Sequence, residues 1–148
     1  MIAIADTSPL CYLILIDEVD VLPKLFSKVV VPAAVISELL HEDAPAAVRG
    51  WAANLPPWVT AQENPIRSTA GLEKLQPGEQ AAILLTESIS AELILLDENR
   101  RAALPPNAAC GSRARSVFWV KPRRAGWLNS LRPLTDSEER ISGALRHY

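Results

Sequence analysis

Four acidic residues lie at the ends of predicted strands or in the predicted helices beside them, which is where α/β proteins carry reactive groups. They are Asp6, Glu38, Glu79 and Asp97. The acids at 6 and 97 directly follow short apolar runs that are typical of buried strands, and the other two lie in stretches with helical spacing. Because the carboxyl ends of parallel strands lie along one edge of a sheet, we expect the four carboxylates to face one crevice there.

A cluster of carboxylates requires a compensating cation, because like charges held close together are costly. Oxygen ligands without histidine or cysteine favour Mg²⁺ or Mn²⁺. Such an ion activates water and stabilises charge on a phosphoryl oxygen, so the predicted chemistry is phosphodiester hydrolysis. Each acid singly also has a structural explanation. Asp6 and Glu79 can serve helix N-termini, Glu38 can lie on the surface, and a turn can begin at Asp97 and Glu98.

Composition argues against other kinds of site. Two cysteines, Cys11 and Cys110, and two histidines are too few for a thiolate zinc site, a disulfide framework or histidine-based catalysis. The chain has 148 residues, 49% of them hydrophobic, and no uncharged apolar stretch long enough to span a membrane. Asp6 interrupts the first apolar run and no basic segment precedes it, so we expect a cytoplasmic protein without a signal peptide.

Charge is segregated along the chain. Residues 1–99 hold 14 acids and 5 bases, whereas residues 100–148 hold 3 acids and 10 bases. This asymmetry suits an acidic, cation-binding half beside a basic surface that attracts a polyanion, although solvated arginines explain the second half equally well. Arg100 and Arg101 are the candidates to guide a phosphate backbone, because they closely follow Asp97.

The elements that must position the acids alternate between strand and helix. Predicted strands cover residues 2–5, 28–31, 58–60, 93–96 and 117–120, and predicted helices cover residues 9–16, 19–26, 33–40, 46–54, 79–90 and 137–147. Ser8 is the expected N-cap of the first helix, with Pro9 at its first position. Apolar strands that alternate with helices predict an α/β fold with a central parallel sheet and helices on both faces.

Four segments carry a pattern that extends in order and spacing over residues 1–101. They are IADTSP at 4–9, VPAAVISEL at 31–39, PGEQAAI at 77–83 and LLDE at 95–98. The pattern resembles the PIN-domain family, in particular its bacterial and archaeal branch close to VapC-type toxins. The resemblance implies a three-layer α/β/α sandwich, an acidic pocket that holds Mg²⁺ or Mn²⁺, and endoribonuclease activity on RNA.

The resemblance also implies roles for individual residues and partners. The residues that match the family's acids are Asp6, Glu38, Glu79 and Asp97, with Glu98 as a fifth acid. Thr7 or Ser8 matches the hydroxyl residue beside the first of these acids. Together with Arg100 and Arg101, whose role is expected from their position after Asp97, these two residues are the candidates for contact with the substrate. Proteins of this branch usually pair with a cognate antitoxin protein and commonly form homodimers.

The pattern is lost after Arg101 and returns in RRAGWL at 123–128. We therefore expect a single PIN-like domain over residues 1–148 with an atypical C-terminal part from about residue 102. Loss and recovery of a pattern is what two compensating frame changes in the coding sequence produce. This hypothesis predicts that the neighbouring reading frames encode a family-like helix, and finding none there would contradict it.

Two other functions stay open at the level of sequence. A catalytically degenerate PIN fold would bind RNA or a partner protein without cleaving. A receiver-like phospho-acceptor domain is suggested by VFWVKP at 117–122, but the chain lacks the adjacent acids that such domains carry after the first strand. An activity assay with and without Mg²⁺ separates a nuclease from both.

Overall fold

A computed structural model of the chain describes residues 1–63 and 72–97, together with the backbone of two further strands. In chain order the elements are β1 (Ile2–Ala5), α1 (Thr7–Leu15), a 3₁₀ turn (Val19–Val21), α2 (Leu22–Leu25), β2 (Lys28–Pro32), α3 (Ala33–Leu39), α4 (Ala46–Ala53), β3 (Val59–Gln62), α5 (Pro77–Ile89), β4 (Leu93–Asp97), β5 (Ser116–Val120) and β6 (Arg132–Pro133).

The strands form one six-stranded sheet in the order β3-β2-β1-β4-β5-β6. The first five strands are parallel, and only β6 at the edge runs antiparallel to its neighbour. From β1 the chain proceeds outward to β2 and β3, then returns to place β4 on the other side of β1. The strand order therefore reverses between β1 and β4, and a ligand crevice is expected at the carboxyl ends of these two strands.

Strand residues alternate between two apolar cores. Ala3, Ala5, Leu93 and Leu95 face one side of the sheet, where α1, α3 and α4 pack. The next residues along each strand, such as Ile4, face the other side and pack with α5. Helices thus cover both faces of the sheet, and the predicted α/β/α sandwich with a central parallel sheet is confirmed.

The first helix begins at Thr7, two residues before the Pro9 start that a Ser8 cap requires, so the prediction of Ser8 as the N-cap is wrong. Asp6 occupies the N-cap position with extended backbone, at φ −86° and ψ 169°. Its N–H donates to the carbonyl of Leu95 at 3.2 Å, which continues the strand ladder up to the start of the helix. Pro9 is tolerated in the first turn because N–H groups there have no intrahelical acceptor.

Other boundaries shift by a residue or two, as is usual where helix ends fray. The predicted helix at 19–26 is divided into the 3₁₀ turn and α2, with Pro23 in the first turn of α2. The predicted helix at 137–147 lies outside the described residues. Within the described ranges, no helix combines the length and the hydropathy that a membrane span requires.

Candidate active site

Asp6 is the central group of the candidate site. It lies at the carboxyl end of β1, and only 1% of its surface is exposed. Its Oδ1 atom is buried and has no hydrogen-bond partner within the described part of the chain. A buried polar atom without a partner is costly in a folded protein. Asp6 therefore needs a further partner, either a proton or a cation.

The protonation of Asp6 reflects this environment. Burial raises its pKa from the ordinary value of 3.8 to about 7. The backbone N–H groups of Thr7 and Ser8 oppose the rise. The negative charges of Glu79 and Glu38 add to it, which shows that both carboxylates lie close enough to repel Asp6. At neutral pH the carboxyl group is near its midpoint of titration, and a cation beside it would favour the ionised form.

Glu38 connects three helices at this edge of the sheet. It is carried by α3, and its Oε2 atom accepts a hydrogen bond from the hydroxyl of Thr7, the first residue of α1. Its Oε1 atom accepts a hydrogen bond from the backbone N–H of Gly78 in the first turn of α5, at 2.8 Å. Both carboxylate oxygens are therefore held by donors from neighbouring elements, and Glu38 does not behave as a solvated surface residue.

Glu79 is fixed by its own helix. The side chain is 4% exposed, and its Oε2 atom accepts a hydrogen bond from the backbone N–H of Gln76 at 2.8 Å. This is one half of a capping box, in which the third helical residue and the N-cap residue satisfy each other's backbone donors. Glu79 therefore has the structural role of a cap and at the same time presents negative charge to Asp6.

Asp97 lies at the same edge of the sheet, where it is the last residue of β4. It is 6% exposed, and its Oδ2 atom accepts a hydrogen bond from the hydroxyl of Tyr12 at 3.4 Å. β1 and β4 are adjacent in the sheet, so Asp6 and Asp97 lie at the carboxyl ends of neighbouring strands.

The remaining candidates from the sequence divide into two groups. Thr7 contacts Glu38, and Ser8 is half-buried in the first turn of α1, so both lie at the site. Glu98, Arg100 and Arg101 lie outside the described residues, and their predicted roles stay predictions.

Sequence reasoning missed Tyr12 and Gly78. The signal for Tyr12 was a hydroxyl-bearing side chain within an otherwise apolar helix. The signal for Gly78 was a glycine inside the first turn of a helix, where glycine lowers helix stability. Burial and the charge of Asp97 raise the pKa of Tyr12, so its hydroxyl stays protonated and able to donate at neutral pH.

The donor set fits a hard divalent cation in its chemistry. It offers oxygen atoms only, and the buried Oδ1 of Asp6 has no partner in the described ranges. The arrangement is not a finished coordination shell, because within residues 1–63 and 72–97 no three His, Cys, Asp or Glu side chains are placed to hold an ion as they stand. Asp6 is thus the residue that argues for a cation, and Glu38 and Glu79 supply further negative charge.

Comparison with known proteins identifies the family. A family model described as a PIN domain matches residues 2–104, which is well over half of the chain. No curated protein matches the chain, and no solved structure does. The matched region includes all four acids, and it ends where the sequence pattern is lost. The match gives no support to a receiver-like domain.

Proposed function

Since the chain belongs to the PIN-domain family, whose members are generally nucleases, we propose that it is a Mg²⁺- or Mn²⁺-dependent ribonuclease. The observation that carries the proposal is the buried carboxylate of Asp6, whose Oδ1 has no partner among the described residues. Glu38 and Glu79 repel its negative charge, so a cation would relieve both the missing contact and the repulsion.

In this proposal the four acids have two roles, metal binding and positioning of the attacking water. Asp6, Glu79 and Asp97 would hold the ion or ions, and Glu38 would complete the set or orient the attacking water. A bound divalent ion supplies charge stabilisation at the phosphoryl group and lowers the pKa of water. Thr7 keeps Glu38 in place through its hydroxyl, and Tyr12 does the same for Asp97.

The substrate and the biological role follow from the resemblance of the four segments to the toxin branch. RNA would approach the acidic edge along Thr7, Ser8, Arg100 and Arg101. The protein would act as the toxin of a toxin-antitoxin pair, in the cytoplasm, as a homodimer that a cognate antitoxin inhibits.

A catalytically degenerate PIN fold that binds RNA or a partner protein is the second candidate. It is favoured by one observation, that the described residues bring no three potential ligands into a ready-made metal site. Such a protein would bind RNA equally well with Mn²⁺ or with EDTA and would cleave none.

RNA cleavage decides between the two candidates. A panel of structured RNAs is incubated with the protein in Mg²⁺, in Mn²⁺ and in excess EDTA, and the same panel is given to Asp6→Asn. Asp43→Asn is the matched control, because the Asp43 side chain is 89% exposed and its charged neighbour is the exposed His41. We expect cleavage by the wild type and the control only with metal, and none by Asp6→Asn. Cleavage that persists in EDTA, or that Asp6→Asn retains, would contradict the proposal.

Metal binding tests the contribution of Asp97 separately. Mn²⁺ is titrated into the wild type and into Asp97→Asn, with the free ion followed by electron paramagnetic resonance. We expect the affinity to fall by about tenfold or more, as for loss of a ligand or its close support. Equal affinity in the two proteins would remove Asp97 from the site.

A further inference from the structure

Gly78 has a backbone conformation that any residue can adopt, but the side chain of Glu38 leaves no room there for a Cβ atom. Its φ is not in the left-handed region, so the conformation suits any residue. A Cβ atom added there would lie 2.5 Å from Oε2 of Glu38 and 2.9 Å from its Oε1 and Cδ atoms. The three nearest heavy atoms thus all belong to one carboxylate, and they are closer than real Cβ contacts allow.

The same close approach makes a hydrogen bond possible. The backbone N–H of Gly78 donates to Oε1 of Glu38 at 2.8 Å. Gly78 is the second residue of α5, where backbone N–H groups have no acceptor within the helix and the helix dipole attracts a carboxylate. The hydroxyl of Thr7 holds the other oxygen of Glu38, so the carboxylate is fixed from two sides.

We infer that Gly78 is a positioning residue for Glu38: its amide and its lack of a Cβ atom together set where this carboxylate lies beside Asp6 and Glu79. The effect on cleavage rests on the proposed function, whereas the effect on the position of Glu38 does not.

The size of the effect follows from the distances. A Cβ atom at 2.5 Å from an oxygen must move that oxygen away by about 1 Å to reach ordinary contact. A displacement of this size in a group that orients reactants costs about 100-fold in rate. We therefore expect Gly78→Ala to lower kcat for RNA cleavage by about 10-fold to 100-fold, with KM for RNA unchanged.

The chain offers a matched control in Gly50. Gly50 also lies inside a helix, α4, but a Cβ atom there would meet nothing within 4 Å. Alanine increases helix propensity at both positions. Gly50→Ala should therefore keep full activity and keep or raise the melting temperature. If Gly78→Ala behaves in the same way, the inference is overturned.

A double-mutant cycle with Glu38→Ala makes the test independent of nuclease activity. Unfolding by urea is measured without metal and without RNA for the two single variants, the double variant and the wild type. Gly78→Ala should destabilise the wild type but not Glu38→Ala, where the new Cβ atom has room. Equal destabilisation in both backgrounds would overturn the inference.

Two further outcomes are also decisive. If Gly78→Ala does not fold, recovery of folding by adding Glu38→Ala supports the inference, and failure to recover overturns it. If the wild type cleaves no RNA, the proposed function fails, while the coupling between residues 78 and 38 in metal-free unfolding still decides the position of Glu38.

Discussion

Replacement of Asp6 by asparagine should stabilise the metal-free protein at neutral pH, although it removes the central group of the site. The pKa of Asp6 is raised from 3.8 to about 7 in the folded state, chiefly by burial. Between about pH 4 and pH 7 the folded protein keeps a proton that the unfolded chain releases. The free energy of unfolding therefore falls as the pH rises through this range, and it stays low above pH 7.

The magnitude follows from the size of the shift. A rise from 3.8 to about 7 is about three pH units at about 1.4 kcal/mol each, so ionised Asp6 lowers the free energy of unfolding by about 4 kcal/mol above pH 7. Asp6 is 1% exposed, so solvent screens little of this cost. Natural domains are stable by only about 5–15 kcal/mol, which makes a penalty of this size easy to measure.

The assay is urea unfolding in EDTA at several pH values from about 4.5 to 8, with tryptophan fluorescence as the signal. The ring centroids of Trp51 and Trp58 lie 6.2 Å apart, and both side chains pack against the described core, so their fluorescence reports on its packing. Asp6→Asn should gain stability relative to the wild type as the pH rises, whereas Asp43→Asn should show no such trend. A difference between Asp6→Asn and wild type that stays constant with pH, or that changes in the opposite direction, would refute the reasoning.

Three further predictions concern the reaction. Tyr12→Phe removes the donor to Asp97 and should lower the free energy of unfolding by about 1 kcal/mol, the usual contribution of one hydrogen bond, and should also lower kcat for RNA cleavage; an unchanged urea midpoint with full activity would show that the hydroxyl is dispensable. End-group analysis of the cleaved RNA should find a 5′-phosphate and a 3′-hydroxyl, because hydrolysis by activated water needs no 2′-hydroxyl, whereas a 2′,3′-cyclic phosphate would point to another catalyst. Charge reversal at Arg100 and Arg101 should flatten the dependence of RNA affinity on salt by about two units of log–log slope, and an unchanged slope would show that these arginines touch no phosphate.

The strands β1, β2 and β4 were predictable because most of their residues are buried on both faces. Residues 29–31 of β2, for example, are three consecutive valines, which is typical of a parallel sheet covered by helices. The edge strand β6 was not predicted, since two residues that include Pro133 give no periodic signal. Its place at the edge explains why a proline is tolerated there.

The start of α1 could not be decided from sequence. Asp6, Thr7 and Ser8 are all good N-cap residues, and Pro9 is compatible with any position in the first turn. Pairing within the sheet decides where the helix begins. The N–H of Asp6 donates a hydrogen bond to the carbonyl of Leu95, which keeps residue 6 extended, so the helix begins at Thr7.

The relative positions of Asp6 and Asp97 along their strands depended on strand register, which a single sequence does not contain. Asp6 and Asp97 each follow an apolar run, and both runs were predicted. In the sheet, Ala5 pairs with Leu95, so Asp6 lies level with Leu96 and Asp97 is one residue further along. The sequence predicts that both acids lie at one edge of the sheet, but only the pairing of the strands decides this offset.

The N-terminus of α5 compensates part of the negative charge that the acids bring to this edge of the sheet. Gly78 donates its amide to Glu38, and the amide of Gln76 is satisfied by Glu79, so two carboxylates are held by backbone donors at the positive end of one helix. Asp6 is close enough to feel both charges, but its Oδ1 finds no donor in the described residues. The helix thus compensates two acids and leaves the third to a proton or a cation, which is why the chemistry of the site centres on residue 6.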